Sequence, residues 1–152
     1  MRLLHTADWH LGRLFYGVSL LRDQEHILTQ LVAIIRDCQP DAVLVAGDIY
    51  DRAVPHPDAV ALLDQVLSEV VLSCGVPVVL IAGNHDSPAR VEFGARLLAS
   101  GGLYIAGQFR IPIHPIVLED AHGPVAFYAV PYAEPPVVNR VAGGGVTHTK
   151  GD

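Results

Sequence analysis

Three short polar clusters in this sequence carry the side chains that proteins use to bind metal ions. Asp8-Trp9-His10 places a carboxylate and an imidazole two positions apart, and Gly47-Asp48-Ile49-Tyr50-Asp51 adds further carboxylates. Gly83-Asn84-His85-Asp86 adds an amide oxygen, an imidazole and another carboxylate. One such cluster alone is most often an ordinary surface turn, but three in succession favour a shared metal site. Oxygen ligands combined with imidazole suit manganese- or iron-like divalent ions better than the sulfur-rich sites of structural zinc.

The elements that must position these clusters are strands, because each cluster directly follows an apolar, β-branched run. Residues 2–7, 42–46 and 76–82 therefore predict three buried strands of the parallel type. Helical spacing of apolar residues between the strands predicts one helix around residues 27–35 and another that starts at Pro57-Asp58. This order predicts an α/β fold with a mostly parallel sheet. Ligands of such sheets gather at the carboxyl ends of the strands, where all three clusters fall.

The second half of the chain contains shorter elements. A third helix is predicted at residues 87–98, followed by strands at 103–106, 114–118 and 125–130. Residues 141–152 are rich in glycine and show no periodicity, which predicts a flexible end. The predicted organisation is therefore one folded segment, residues 1–140, followed by this tail.

Composition limits the classes of function. Of 152 residues, 51% are hydrophobic and 17% charged, which is typical of a globular domain. A net charge of −6 argues against binding nucleic acid through bulk positive charge, but divalent ions would supply positive charge locally. No apolar stretch is long enough for a membrane span, and the start does not resemble a signal peptide. We expect a cytoplasmic protein without membrane contact.

The motifs Asp-x-His, Gly-Asp-x-x-Asp and Gly-Asn-His-Asp, in this order, resemble the opening motifs of the calcineurin-like metallophosphoesterases. The longer form Asp8-Trp9-His10-Leu11-Gly12 is similar to the SbcD exonuclease family in particular. The resemblance extends over residues 1–140 and implies that they are the N-terminal part of a metallophosphoesterase catalytic domain. It implies a two-sheet α/β sandwich flanked by helices.

The resemblance also implies a set of metal ligands. Asp8 and His10 would bind the first of two divalent ions, Asp48 would bridge both, and Asn84 would bind the second. The ions would be Mn²⁺, with Mg²⁺ or Fe²⁺ as alternatives. A paired site of this kind polarises a phosphate for in-line hydrolysis.

The same resemblance assigns catalytic roles to the third cluster. His85 would donate a proton to the leaving oxygen and would not bind metal. Asp86 would either orient His85 or simply start the following helix, and both interpretations stay open. Family members take further ligands from an apolar-strand histidine and a Gly-His-x-His element, neither of which occurs here. We therefore expect that the chain ends before the metal site is complete and that residues 1–152 alone are nearly inactive. No metal role is expected for the six remaining histidines: His5, His26, His56, His114, His122 and His148.

An arginine follows each cluster within a few residues, and these side chains are candidate phosphate ligands: Arg13, Arg52 and Arg90. Ordinary solvated surface charges are an equally good interpretation. Phe15 and Tyr16 lie close to the first cluster and could stack on unpaired bases.

The predicted third helix has a second apolar side that contains Phe93 and Leu97. In the SbcD family helices of this region form a homodimer contact, so a second subunit is one implied partner, and packing within a larger domain is the alternative. The resemblance further implies a DNA exonuclease and endonuclease that acts at DNA ends, in double-strand-break repair and hairpin processing, together with an SbcC-type ATPase. Two rival functions stay open: a phosphoesterase for small nucleotides or phosphoproteins, and a non-catalytic interaction module.

Overall fold

The fold alternates strands and helices around a four-stranded parallel sheet in a computed structural model that describes residues 1–143. The strands are β1 (Leu3–Thr6), β2 (Leu14–Phe15), β3 (Val18–Ser19), β4 (Ala42–Ala46), β5 (Val78–Ile81), β6 (Leu103–Ala106), β7 (Ile116–Asp120) and β8 (Gly123–Phe127). The helices are α1 (Leu21–Cys38), α2 (Pro57–Ser68), α3 (Pro88–Val91), α4 (Ala95–Leu98) and α5 (Pro135–Val141), and a π-helical turn (Glu69–Ser73) continues α2. The parallel sheet has the order β1-β4-β5-β6, and β2–β3 and β7–β8 form antiparallel pairs. Most of the predicted flexible tail, including His148, lies outside the described residues.

One face of the parallel sheet forms the core with α1 and α2. Side chains alternate across a strand, so β4 and β5 each present every second residue to this face. The helix α1 supplies residues spaced by four and three, as expected for an amphipathic helix. The buried residues on this side include Val43, Val45, Val78 and Leu80 of the sheet, Leu28, Val32 and Ile35 of α1, and Leu62 and Val66 of α2. The predicted α/β fold, with a parallel sheet flanked by helices, is confirmed.

The opposite face of the sheet lies towards the β7–β8 pair. Leu44, Val79 and Ile81 of the sheet line a cavity of 260 Å³ together with the segment from Phe127 to Val130. An ion pair between the amino terminus and Asp120 attaches this hairpin to the start of β1. Within residues 1–143 the second sheet of the expected sandwich is therefore limited to β7 and β8.

Four predicted elements differ from the structure, and two of them, the strands predicted at 114–118 and 125–130, are only displaced to 116–120 and 123–127. The single helix predicted at residues 87–98 is two short helices, because Gly94 adopts a left-handed φ of 74° and begins α4 after an intervening turn. The strand β1 was predicted to be buried, but its side chains alternate between exposed and half-buried because it lies at the sheet edge and pairs with β4 alone. Among the described helices, none combines the length and apolar character of a membrane span.

Candidate metal centre

The three polar clusters meet at the carboxyl end of the parallel sheet, as predicted. The amide of Asp8 donates to the carbonyl oxygen of Gly47 at 3.1 Å, and the amide of Gly47 donates to Ile81 at 3.1 Å. The amide of His10 donates to the carbonyl oxygen of Asp48 at 2.9 Å. These bonds continue the ladders of neighbouring strands into the loops, so the loops inherit the parallel alignment of the sheet.

Asp8, His10 and Asp48 converge at this edge. One ligand atom from each lies within 4.8 Å of the others, and His10 Nε2 is 3.7 Å from Asp48 Oδ2. Asp48 is buried, His10 is half-buried and Asp8 is exposed. Two carboxylates and an imidazole at this spacing can hold a divalent ion through oxygen and nitrogen ligands.

All three residues adopt a left-handed backbone conformation that side chains rarely occupy. The φ angles are 56° at Asp8, 45° at His10 and 46° at Asp48. Aspartate and histidine tolerate this region better than most residues, yet each such residue still costs about 1–3 kcal/mol. Such strain is concentrated at functional sites, and here it turns the three side chains towards one another.

Gly83 allows the second and third loops to approach closely. A Cβ atom at this position would lie 2.1 Å from Asp48 Oδ1 and 2.2 Å from the Asp48 amide nitrogen. Any side chain would therefore displace Asp48. A Cβ on Gly47, which has a φ of 83°, would lie 3.2 Å from Gly83 Cα. Both motifs therefore carry a glycine at the point where their loops touch, because the space there is too small for a side chain.

Asp86 connects the second and third loops through hydrogen bonds. Its carboxylate is 6% exposed and accepts hydrogen bonds from the amides of Ile49 at 3.0 Å, Tyr50 at 2.9 Å and Gly83 at 2.8 Å. This arrangement adds a third role to the two that the sequence left open for Asp86. The carboxylate contacts backbone donors instead of the His85 ring, and α3 begins at Pro88, where the preceding Ser87 forms no side-chain cap. Asp86 is a positioning residue for the loop that carries Asp48.

His85 is oriented by a different group. Its Nδ1 lies 2.9 Å from the carbonyl oxygen of Asp51, and its amide donates to Asp48 Oδ1 at 3.0 Å. A carbonyl oxygen can only accept, so Nδ1 carries a proton and Nε2 makes no part of this hydrogen bond. The ring stands edge-on to His10 with centroids 4.8 Å apart. His85 is exposed, so its Nε2 can be reached by a substrate.

Asp51 is a site residue that was not singled out from the sequence, although it ends the Gly-Asp-x-x-Asp motif. Its Oδ1 lies 3.7 Å from His10 Nδ1, and Asp51, His10 and His85 form a second possible metal group. The two groups share His10, and a neutral imidazole has only one acceptor nitrogen. His10 Nδ1 is buried and has no hydrogen-bond partner among the described residues. If Nε2 faces an ion beside Asp48, the protonated Nδ1 faces Asp51, an arrangement common in metal-ligating histidines.

Asn84 and the three arginines, which were the other predicted site residues, are all exposed. Asn84 is exposed and lines a cavity of 690 Å³ that extends towards Tyr132 and Arg110. Three predicted phosphate ligands are exposed, and in the part of the chain that the structure describes they form no salt bridge: Arg13, Arg52 and Arg90.

Burial and neighbouring charge shift the pKa of Tyr50, which lies in the second loop. Burial raises the pKa of Tyr50 to about 12, and the negative charges of Asp86 and Asp64 add to the shift. The phenol therefore stays neutral throughout the physiological range. Of the histidines outside the site, His56 accepts a hydrogen bond from the Asp58 amide and caps α2.

Comparison with known proteins agrees with this geometry. A family model for calcineurin-like phosphoesterases matches residues 1–141. The chain belongs to this family. It is also 38% identical over 133 residues to the SbcD subunit of the nuclease SbcCD from Staphylococcus saprophyticus, an alignment that covers 88% of this chain and 34% of that protein. The chain thus spans about a third of the length of this curated relative.

Proposed function

We propose that the protein is a metal-dependent DNA exonuclease and endonuclease of the SbcD type, which hydrolyses phosphodiester bonds at DNA ends. The observation that carries the proposal is the group of Asp8, His10 and Asp48, whose ligand atoms lie within 4.8 Å of one another at the carboxyl end of the sheet. The similarity to a nuclease subunit over 88% of the chain supports DNA over other phosphate esters.

The donor set fits a divalent metal. Asp8, His10 and Asp48 would hold one ion, and Asp48 with Asn84 would hold a second. The buried Nδ1 of His10 supports this, because a half-buried imidazole fixed between two carboxylates is well suited to ligation. Bound Mn²⁺, Mg²⁺ or Fe²⁺ would polarise the phosphate and neutralise its charge.

The residues of the chain then have distinct tasks. His85, when protonated, donates a proton from Nε2 to the leaving oxygen, while its Nδ1 proton stays with the Asp51 carbonyl oxygen. Asp86 keeps the second loop in place through three backbone amides. Arg13, Arg52 and Arg90 bind backbone phosphates of the substrate.

The proposed assembly is a homodimer that works in the cytoplasm with an SbcC-type ATPase subunit. Phe93, in the turn between α3 and α4, and Leu97, in α4, are 85% and 82% exposed, which supports a protein contact in this region. Phe93→Glu should give a folded monomer in sedimentation experiments, because a two-fold contact places the new charge near its own copy. A dimer that persists in this variant would move the interface elsewhere.

The proposed activity is tested with the full-length gene product, Mn²⁺ and linear DNA beside bis(p-nitrophenyl) phosphate. Metal-dependent cleavage of both substrates is expected, and chelation should abolish both activities. Hydrolysis of the small diester without any DNA cleavage would instead support a phosphoesterase for small substrates. No metal-dependent hydrolysis of either substrate would contradict the enzyme assignment.

A further inference from the structure

The β2–β3 hairpin that follows the first metal loop has an unusual turn. Phe15 pairs with Val18, so Tyr16 and Gly17 form a two-residue loop, with φ angles of 49° and 80°. Positive φ at both central positions is the requirement of a type I′ turn, which favours Asn-Gly or Asp-Gly. A bulky tyrosine in the left-handed region is strained. Turn formation alone therefore does not account for Tyr16.

Packing does not account for this residue either. Tyr16 is 93% exposed and Phe15 is 58% exposed, and their rings meet edge to face with centroids 4.6 Å apart. Two aromatic rings at a hairpin tip gain little from the hydrophobic effect while they face water. The pair offers flat apolar surface to a ligand instead.

The tip is held in a defined position relative to the metal loop. Gln24 Nε2 donates to the carbonyl oxygens of Trp9 at 2.9 Å and His10 at 2.7 Å, and its Oε1 accepts from the Gly12 amide at 3.0 Å. The Arg13 amide also donates to His10 at 3.1 Å. The base of the hairpin is thus bonded to the backbone of a proposed metal ligand. The hairpin therefore starts from the same hydrogen-bonded backbone that carries His10.

A groove lies beside the hairpin and follows the segment between the second metal loop and the start of α2. Its cavity of 560 Å³ is lined by Leu14 and Ser19 on the hairpin side and by Arg52 and His56 on the other. Exposed Arg13 lies at the hairpin base. Aromatic surface next to arginine is the combination that binds single-stranded nucleic acid, because bases stack on the rings and phosphates pair with the cations.

We propose that the Phe15–Tyr16 tip stacks on an unpaired base of the DNA substrate close to the phosphate that is cleaved. This inference rests on the proposed nuclease function and specifies its substrate as DNA with unpaired bases at the end. Stacking tolerates any sequence, since every base has an aromatic face. Phosphoproteins and simple phosphodiesters contain no base and would leave the tip unused.

The test is binding of fluorescein-labelled oligothymidylate to the full-length gene product, measured by anisotropy in the presence of a chelator. Tyr16→Asn should weaken binding about 5- to 150-fold, the range for loss of one stacked base, while Tyr16→Phe should keep it. Asparagine tolerates positive φ, so the melting temperature should not fall. Binding of a duplex closed at both ends by covalent linkers, and turnover of bis(p-nitrophenyl) phosphate, should be the same in wild type and Tyr16→Asn.

The outcomes separate this inference from the function on which it rests. A wild-type protein that cleaves DNA, together with Tyr16→Asn that binds oligothymidylate equally well, would overturn the stacking role and leave the nuclease intact. Equal loss of affinity for the closed duplex would also overturn it, because the tip would then contact paired DNA or another feature. A wild-type protein that does not cleave DNA at all would overturn both proposals.

Discussion

Removal of the Asp86 carboxylate is the most informative perturbation of this fold. Asp86→Ala deletes the acceptor of three backbone amides, from Ile49, Tyr50 and Gly83. The first two hydrogen bonds are buried and the third is partly buried. A buried donor left without a partner costs about 1–3 kcal/mol, so the two buried amides together predict a loss of about 2–6 kcal/mol in the free energy of unfolding. The Gly83 amide adds less, because water can reach it.

This loss should appear in the melting temperature. In a domain of this size 1 kcal/mol corresponds to about 2–4 °C, so Asp86→Ala should melt about 4–24 °C below the wild type. Asp86→Asn keeps the volume but turns an amide donor towards backbone donors, and we expect an intermediate loss. Asp64→Asn, an exposed acid of α2, serves as the matched control and should change stability by less than about 0.5 kcal/mol.

Circular dichroism melts and a diesterase assay on the same variants decide between two roles for Asp86. If Asp86 supports the loops, stability and Mn²⁺ affinity should fall together in both Asp86 variants. The amides of Ile49 and Tyr50 directly follow Asp48, so their displacement also moves this proposed metal ligand. If it acts by orienting His85, Asp86→Asn would lower kcat at an unchanged melting temperature. That second result would refute our account.

Three further predictions concern the site. His85→Ala should retain Mn²⁺ affinity in calorimetry and lose about 10²–10⁴-fold in kcat, and loss of metal binding would make His85 a ligand. Asp48→Asn should weaken both metal sites in a calorimetric titration, whereas Asp8→Asn should weaken one; loss of a single site in Asp48→Asn would exclude a bridging role. The pKa of Tyr50 is raised to about 12 in the folded chain, against an ordinary value near 10. The unfolded chain therefore loses this proton at a lower pH than the folded chain does. The contribution of Tyr50 to stability is complete below about pH 10 and falls as pH rises towards 12. Urea unfolding of Tyr50→Phe should show a smaller loss between neutral pH and pH 11 than the wild type, and an equal loss would contradict the buried-phenol account.

Local sequence patterns were sufficient for the elements that position the site. The apolar runs before Asp8, Asp48 and Asn84 are strands β1, β4 and β5, and their parallel order brings the three clusters to one edge. The helix that starts at Pro57 was equally predictable from its proline and its apolar spacing. These signals arise within a few residues of chain, where side-chain alternation and backbone preference act directly.

Long-range contacts decided the rest. Asp86 accepts hydrogen bonds from amides 36 and 37 residues away, and His85 pairs with a carbonyl oxygen 34 residues away. Gly94 interrupts a helix whose apolar spacing is continuous in the sequence, because its left-handed backbone is incompatible with a right-handed helix. The residue types at the site were therefore determined by the sequence itself, whereas the partner of each polar atom depended on which loops the sheet brought together. A carboxylate can accept from any amide that comes near it, and only the tertiary structure selects that amide.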